Sequence, residues 1–267
     1  MSKYLIGCDP EVFVKQAGVF KSAHALIPGD KGHPFRVKKG AVQVDGMALE
    51  FNIDPAATED EFLFNVQEVY QQLCAMVPDY EVVAVPVAHF TQEYMSVQPR
   101  ESLELGCDPD YNAWERAVNI KPNGERPMRT ASGHIHIGWL SPDNYSNDTF
   151  GDACEVGKQM DVVLGIPSLF YDDDIERREM CGEAGCIRPK PYGVEYRTLS
   201  NKWLSSPALT RWVFRTAQKG MELMDSGRLL YNELTQKGFD VQDIINTSNK
   251  KEARKIVKLL NLEVCHG

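Results

Sequence analysis

Four short runs of this sequence alternate apolar residues with residues that can do chemistry. In GCDPEVFV, Asp9 and Glu11 are two apart and out of step with Val12 and Val14. In ALEFNI, Glu50 and Asn52 alternate with Leu49, Phe51 and Ile53. In SGHIHIG, His134 and His136 alternate with Ile135 and Ile137, and in YGVEYR, Glu195 and Arg197 alternate with Val194 and Tyr196. If these runs are strands, residues two apart share a face and sit about 7 Å apart. Taken singly, each is also what a solvated sheet face, a hydrogen-bonded strand histidine or a cross-strand ion pair would produce. Solvated faces usually consist of Lys, Thr, Ser and Gln, however, and here four runs choose Asp, Glu, His and Arg instead. In one sheet, those side chains would gather carboxylates, two imidazoles and an arginine on one surface. So many like charges need neutralising, and divalent cations do that. Oxygen-rich donor sets with an occasional imidazole suit Mg2+ or Mn2+ better than zinc. Gly133 and Gly138 flank the His pair and Gly193 precedes the Glu-Arg pair, which predicts close approach of a ligand or of another backbone.

The elements that must position these residues follow from periodicity. Strands are expected near 4–14, 41–53, 80–90, 133–140 and 193–199. Phe62, Val66, Val69, Tyr70, Leu73 and Val77 predict a helix over roughly 59–77, opened by a Thr58/Glu61 capping box. Ala153, Val156, Met160, Val163 and Leu164 predict a second helix. Ser206 before Pro207 opens a third, with a stripe of Leu209, Trp212, Val213, Thr216 and Ala217. The tail from Asp240 reads as helical, with Asn249 and Glu252 as a cap. The stretch 100–130 reads as a long ordered loop of the kind that covers sites. The expectation is one continuous core.

Composition narrows the function further. A formal net charge of -9 argues against duplex nucleic acid as a partner. Seven cysteines without a CxxC pair suggest neither a zinc ribbon nor a disulfide framework, so reduced thiols are expected. No signal peptide or membrane-length apolar run is visible, which predicts a cytoplasmic protein without membrane insertion.

In this order and spacing the four runs resemble the glutamine synthetase and glutamate-cysteine ligase superfamily. The resemblance is greatest to its phage-type carboxylate-amine ligases, the amidoligases of type 2, and spans roughly residues 3–204. GCDPEVFV resembles the family's first strand, DGMALEFNIDP its second, GHIHIG its HVHVG strand and GVEYRTLSN its closing EFR-type strand. The resemblance implies an α+β fold: a curved, mostly antiparallel glutamine synthetase-like sheet with helices on its convex face. Residues 1–267 would form one catalytic domain, with core 3–204 and a helical C-terminal extension, 205–267. It implies Glu11, Glu50 and Glu195 as metal ligands. One of His134 and His136 would complete a metal site while the other faces substrate; His136 is assigned to metal and His134 to catalysis. Asp9, where relatives often have a glutamate, would bind the metal through water or not at all. Arg197 would meet the transferring phosphoryl group. IERREMCGEAGCIRPKPYG resembles the nucleotide-phosphate loop, with Arg177, Arg178, Arg188 and Lys190 as its cations.

The activity implied is ATP-dependent joining of a small-molecule or peptide carboxylate to an amine, with Mg2+ or Mn2+, in the cytoplasm of a host cell if the chain is phage-encoded. An acyl phosphate would form first. Arg188 or Arg197 would then stabilise the oxyanion of the tetrahedral intermediate. Asp108 and Asp110 are candidates for the base that deprotonates the amine. Three rivals are a phosphotransferase of the same fold, a metal-dependent hydrolase using the HxH pair, and an inactive binding protein.

Overall fold

The computed structural model describes residues 3–103, 110–120, 126–139, 149–172 and 174–266. Its centre is a sheet in which every described pairing is antiparallel. Six strands carry the argument: β1 (Leu5–Gln16), β2 (Gly40–Asp45), β3 (Ala48–Ile53), β4 (Gly133–Gly138), β5 (Cys186–Lys190) and β6 (Gly193–Tyr196). They lie side by side in the order β2-β3-β1-β4-β6-β5. Phe35–Val37 extends one edge, and Tyr111–Asn112 and Ala117–Val118 extend the other. The four runs with polar pairs are therefore adjacent strands.

The helices cover the apolar face. They are α1 (Glu59–Met76), α2 (Thr149–Met160), α3 (Pro207–Asp225), α4 (Leu230–Gln236), α5 (Val241–Asn246) and α6 (Lys250–Leu260). Ile6, Cys8, Val12, Leu49, Phe51, Ile135, Ile137 and Val194 from the strands share one buried cluster with Phe62, Val66, Val69 and Leu73 of α1. Trp212, Val213 and Phe214 of α3 join it, with the Phe62 and Phe214 rings 5.5 Å apart. The helices after residue 205 thus complete the same core.

The predicted caps form. Thr58 Oγ1 accepts from the Glu61 N–H at 3.2 Å, and Glu61 Oε2 accepts from the Ala57 N–H at 2.9 Å, one residue earlier than the standard box. Ser206 and Asn249 cap α3 and α6. The second predicted helix is α2 continued by a π-helical turn, Asp161–Gly165.

Three expectations change. The run 41–53 is a hairpin, β2 and β3, because Gly46 at φ 59° supplies the positive-φ position of a two-residue turn. The expected single core has a satellite on the polar face, made of Phe13, Met47, Ala88, Phe90, Met95 and Ala131 and covered by the ribbon Val87–His89 and Met128–Thr130. Cys181 is disulfide-bonded, while Cys8, Cys74, Cys154, Cys186 and Cys265 are free thiols. Spacing along the chain does not report which cysteines approach across the fold.

Candidate active site

Register brings the polar pairs together. Glu11 lies opposite Glu50, Asp9 opposite His134, His136 opposite Glu195, and Glu195 opposite Arg188. Directly opposed residues in an antiparallel pair point to the same side. The face opposite the helices therefore carries Glu50, Glu11, Asp9, His134, His136, Glu195 and Arg188 in an unbroken row. Two of the glycines noted above allow backbones, not a ligand, to close up. A Cβ on Gly133 would sit 2.4 Å from the Ser200 carbonyl oxygen, and one on Gly193 2.1 Å from that of Ile137.

At the β2-β3 end the face is acidic. Glu11, Asp45 and Glu50 each offer a carboxylate oxygen within 4.8 Å of the others. Burial, then Asp45, pushes the Glu11 carboxyl up to about 7, against the Ser132 N–H that donates to its Oε2 at 2.8 Å. Burial together with Asp9, Asp45 and Glu11 raises Glu50 well above the carboxylate range. Lys31 Nζ lies 3.7 Å from Asp45 Oδ2, and Arg197 and Arg177 partly offset the rise at Glu11. Three converging hard oxygens whose carboxyls are pushed toward their neutral form at Glu11 and Glu50 suit a divalent cation such as Mg2+.

Toward β5 and β6 the balance reverses. Glu195 is fully buried and ringed by cations: Arg188 Nη1 at 3.1 Å, Lys190 Nζ at 2.7 Å and a close contact from Arg197 Nη1. Burial and Asp9 push its carboxyl up, but Arg197, His134 and His136 outweigh them and hold it at about 2. Arg197 also places Nε 3.1 Å from Asp110 Oδ1. Burial, then Arg197, lowers the His134 imidazole to about 4, so it is neutral at physiological pH.

Asp9 stands between the two ends. Its Oδ1 is 2.8 Å from His136 Nε2 and 3.3 Å from His134 Nδ1. Burial raises the Asp9 carboxyl, but the two histidines together hold it well below its usual range. With Glu195, Asp9 and His136 form a second group whose ligand atoms lie within 4.8 Å of one another.

Arg177 and Arg178 do not join this row, and their expected place on the nucleotide is corrected. Arg177 is fully buried, and its guanidinium donates to the carbonyls of Arg197, Thr198 and Leu199 at 2.7–3.1 Å and to Ser132 Oγ at 3.1 Å. It clasps the chain that follows β6. Arg178 donates to the carbonyls of Asp172 and Asp174. The expected phosphate loop is instead a short helix, Ile175–Arg178, followed by β5, which places Arg188 and Lys190 on the site face. Asn52 belongs to neither ligand group. Asp110 is held by Arg197 and by Asn119 Nδ2 at 2.9 Å; Asp108 lies outside the described residues.

Sequence reasoning missed Asp45 and Tyr192. The Asp45-Gly46 dipeptide was the signal for the first: a two-residue turn there sets Gln43 opposite Glu50 and so turns Asp45 to the same side. Tyr192, whose hydroxyl meets His136 Nδ1, precedes β6 and carries no pattern of its own.

The face opposite the helices thus sets a group of carboxylates and a group of cations on one antiparallel sheet. Residues 123–260, just over half of the chain, match the family described as phage phiEco32-like COOH.NH2 ligase-type 2, and the chain belongs to that family. The matched span includes His134, His136, Arg188, Lys190, Glu195 and Arg197, and the acidic group on β1 to β3 lies before it. Among solved structures, a bifunctional glutathione synthetase from Pasteurella multocida matches with 13% identity over 97% of this chain, at a TM-score of 0.42. This chain spans 49% of that protein's length. No curated protein matches. No described helix is long and apolar enough to cross a membrane.

Proposed function

We propose that the protein is an ATP- and Mg2+-dependent ligase that joins a carboxylate to an amine through an acyl phosphate, on a sheet of the glutamine synthetase and glutamate-cysteine ligase kind. The observation that carries this reading is the polarity of the ionisable row: one end offers clustered carboxylates and the other clustered cations. ATP phosphates and a substrate carboxylate are all anionic, and they belong at the end where Arg188, Lys190 and Arg197 converge. The residues that would hold divalent cations are Glu11, Asp45 and Glu50, with Asp9, His136 and Glu195 as a second group. A bound cation supplies screening between the phosphate oxygens and the incoming carboxylate.

In the first half-reaction the carboxylate oxygen attacks the γ-phosphorus of ATP in line. The new P–O bond forms as the bond to the β-phosphate oxygen breaks, and ADP leaves. Arg188, Lys190 and Arg197 hold the phosphoryl oxygens, while Glu195 and Asp110 keep those cations aimed. In the second half-reaction the amine nitrogen attacks the acyl carbon, the C–O bond to phosphate breaks, and phosphate departs. The nitrogen then gives its surplus proton to a carboxylate. Arg188 and Arg197 face the oxyanion that develops between these events. His134, neutral and buried, donates or accepts a hydrogen bond there without adding charge.

The test is incubation of the purified protein with ATP, Mg2+ and pools of carboxylates and amines, using a carboxylate carrying heavy oxygen. ADP and phosphate should appear only when both substrates are present, with heavy oxygen in the released phosphate. A phosphorylated product that persists in the presence of amine would mark a phosphotransferase, and turnover without nucleotide would mark a hydrolase. Either result removes the ligase reading.

A further inference from the structure

The turn between β5 and β6 brings a tyrosine against the middle of the row. Lys190 pairs with Gly193, so Pro191 and Tyr192 are the two residues of a tight hairpin turn. The Trp139 N–H donates to the Tyr192 carbonyl at 3.1 Å, which ties this turn to the end of β4. Gly138 shares a strand face with His136, and a Cβ placed on it would lie 3.8 Å from Tyr192 Cδ2. The Tyr192 ring is therefore folded back over β4 on the site face. Its centroid is 6.0 Å from that of His136, and the two rings meet through polar atoms, Tyr192 Oη and His136 Nδ1.

The two ring nitrogens of His136 thus face different partners. Nδ1 meets Tyr192, and Nε2 lies 2.8 Å from Asp9 Oδ1 in the group that Glu195 completes. Half a turn about the Cβ–Cγ bond would exchange Nδ1 with Cδ2 and Nε2 with Cε1, setting a carbon against Asp9. The bond to Tyr192 opposes that turn. An imidazole that ligates a cation must offer a bare lone pair, so its remaining proton sits on the other nitrogen and needs an acceptor. A phenol keeps its own proton to about pH 10. Its oxygen can accept from an Nδ1–H without adding a further negative charge to a row that already holds Asp9 and Glu195.

We propose that Tyr192 is a positioning residue for a divalent cation held by Asp9, His136 and Glu195: its hydroxyl accepts the Nδ1 proton of His136 and fixes Nε2 as the nitrogen offered to the ion. The proposal rests on the reading that this second group takes a cation, and it adds to that group the residue that orients its imidazole. Tyr192 itself stays outside the ligand set. The acidic group at Glu11, Asp45 and Glu50 has no imidazole and does not depend on it.

The experiment is titration of Mn2+ into the full chain, read by pulsed electron paramagnetic resonance, in which a ligating imidazole nitrogen couples to the ion and carboxylate oxygens do not. It is repeated on Tyr192→Phe and His136→Gln. Phenylalanine keeps the ring over β4 and removes only the hydroxyl, and circular dichroism checks that the variants fold. Wild type should show the nitrogen coupling, and His136→Gln should lose it. Tyr192→Phe should weaken the nitrogen-coupled ion about tenfold while Mn2+ bound without that coupling keeps its affinity. Unchanged affinity of the nitrogen-coupled ion in Tyr192→Phe would overturn the proposal, as would coupling that survives His136→Gln. Absence of nitrogen coupling in a wild-type protein that turns over ATP with both substrates would overturn it and leave the ligase reading standing. The expected pattern in a protein without such turnover would uphold the role of Tyr192 and defeat the ligase reading.

Discussion

Replacing Glu11 with Gln should make the metal-free protein more stable at neutral and alkaline pH while removing its response to Mg2+. The Glu11 carboxyl is pushed from its ordinary 4.5 to about 7 by burial and by Asp45. A shift of that size corresponds to about 3 kcal/mol of folding free energy lost when the group is ionised. Solvent at its partly open side screens some of this, leaving about 2 kcal/mol. The sign follows from proton binding. Between 4.5 and about 7 the folded chain holds a proton at Glu11 that the unfolded chain has released, so stability rises as pH falls through that window and is lost above it. Glutamine keeps an acceptor for the Ser132 N–H and turns a neutral amide toward Asp45 and Glu50. The expected gain at about pH 8 is about 2 kcal/mol, or about 5 °C in Tm, vanishing near pH 4, where wild-type Glu11 is itself protonated. Urea unfolding at both pH values, with and without Mg2+, measures it. Mg2+ should stabilise wild type at the higher pH and have little effect on the variant. A variant less stable than wild type at about pH 8 without metal, or one stabilised by Mg2+ as strongly as wild type, would refute the reasoning.

Three further outcomes follow from the geometry. Arg177→Met should cost about 3–5 kcal/mol in urea unfolding, because it leaves the buried carbonyls of Arg197, Thr198 and Leu199 without their donor. Arg197→Lys should lower turnover about 10–100-fold with little change in Mg2+-dependent stabilisation, since a point charge replaces a planar donor shared between Glu195 and Asp110; unchanged steady-state kinetics would contradict its place on the anion. Gly193→Ala should destabilise by more than about 3 kcal/mol, because its Cβ would lie 2.1 Å from the Ile137 carbonyl and force β4 and β6 apart. A Tm within a few degrees of wild type would show that the strands can yield.

The site strands were legible because parity along a strand fixes which residues share a face, and four runs used the same chemical alphabet. Asp9, His136 and Glu195 come within reach of one another, and Glu11 of Glu50, because antiparallel register aligned those faces. Parity could not sort the arginines. Arg177 and Arg188 look alike in a glycine-rich segment, yet one lies on a short helix aimed at the carbonyls after β6 and the other on a strand opposite Glu195. That difference is set by where the chain turns. Asp45 was hidden for a related reason: reading 41–53 as one strand left no hairpin to fold it back beside Glu50.

The two groups of the row are coupled through β1, and this constrains how the chemistry can be ordered. Asp9 and Glu11 lie two residues apart on the same strand, one beside the histidines and the other beside the acidic group. Asp9 is held ionised by His134 and His136, whereas Glu11 is pushed toward its neutral form. Glu11, Asp45 and Glu50 would hold a divalent cation, whose charge would favour the ionised form of that group and would favour anions near Asp9, two residues along β1. Metal binding should therefore precede productive nucleotide binding, and ATP titrated into Glu11→Gln should bind weakly even though Arg188, Lys190 and Arg197, the cations proposed to meet its phosphates, are intact.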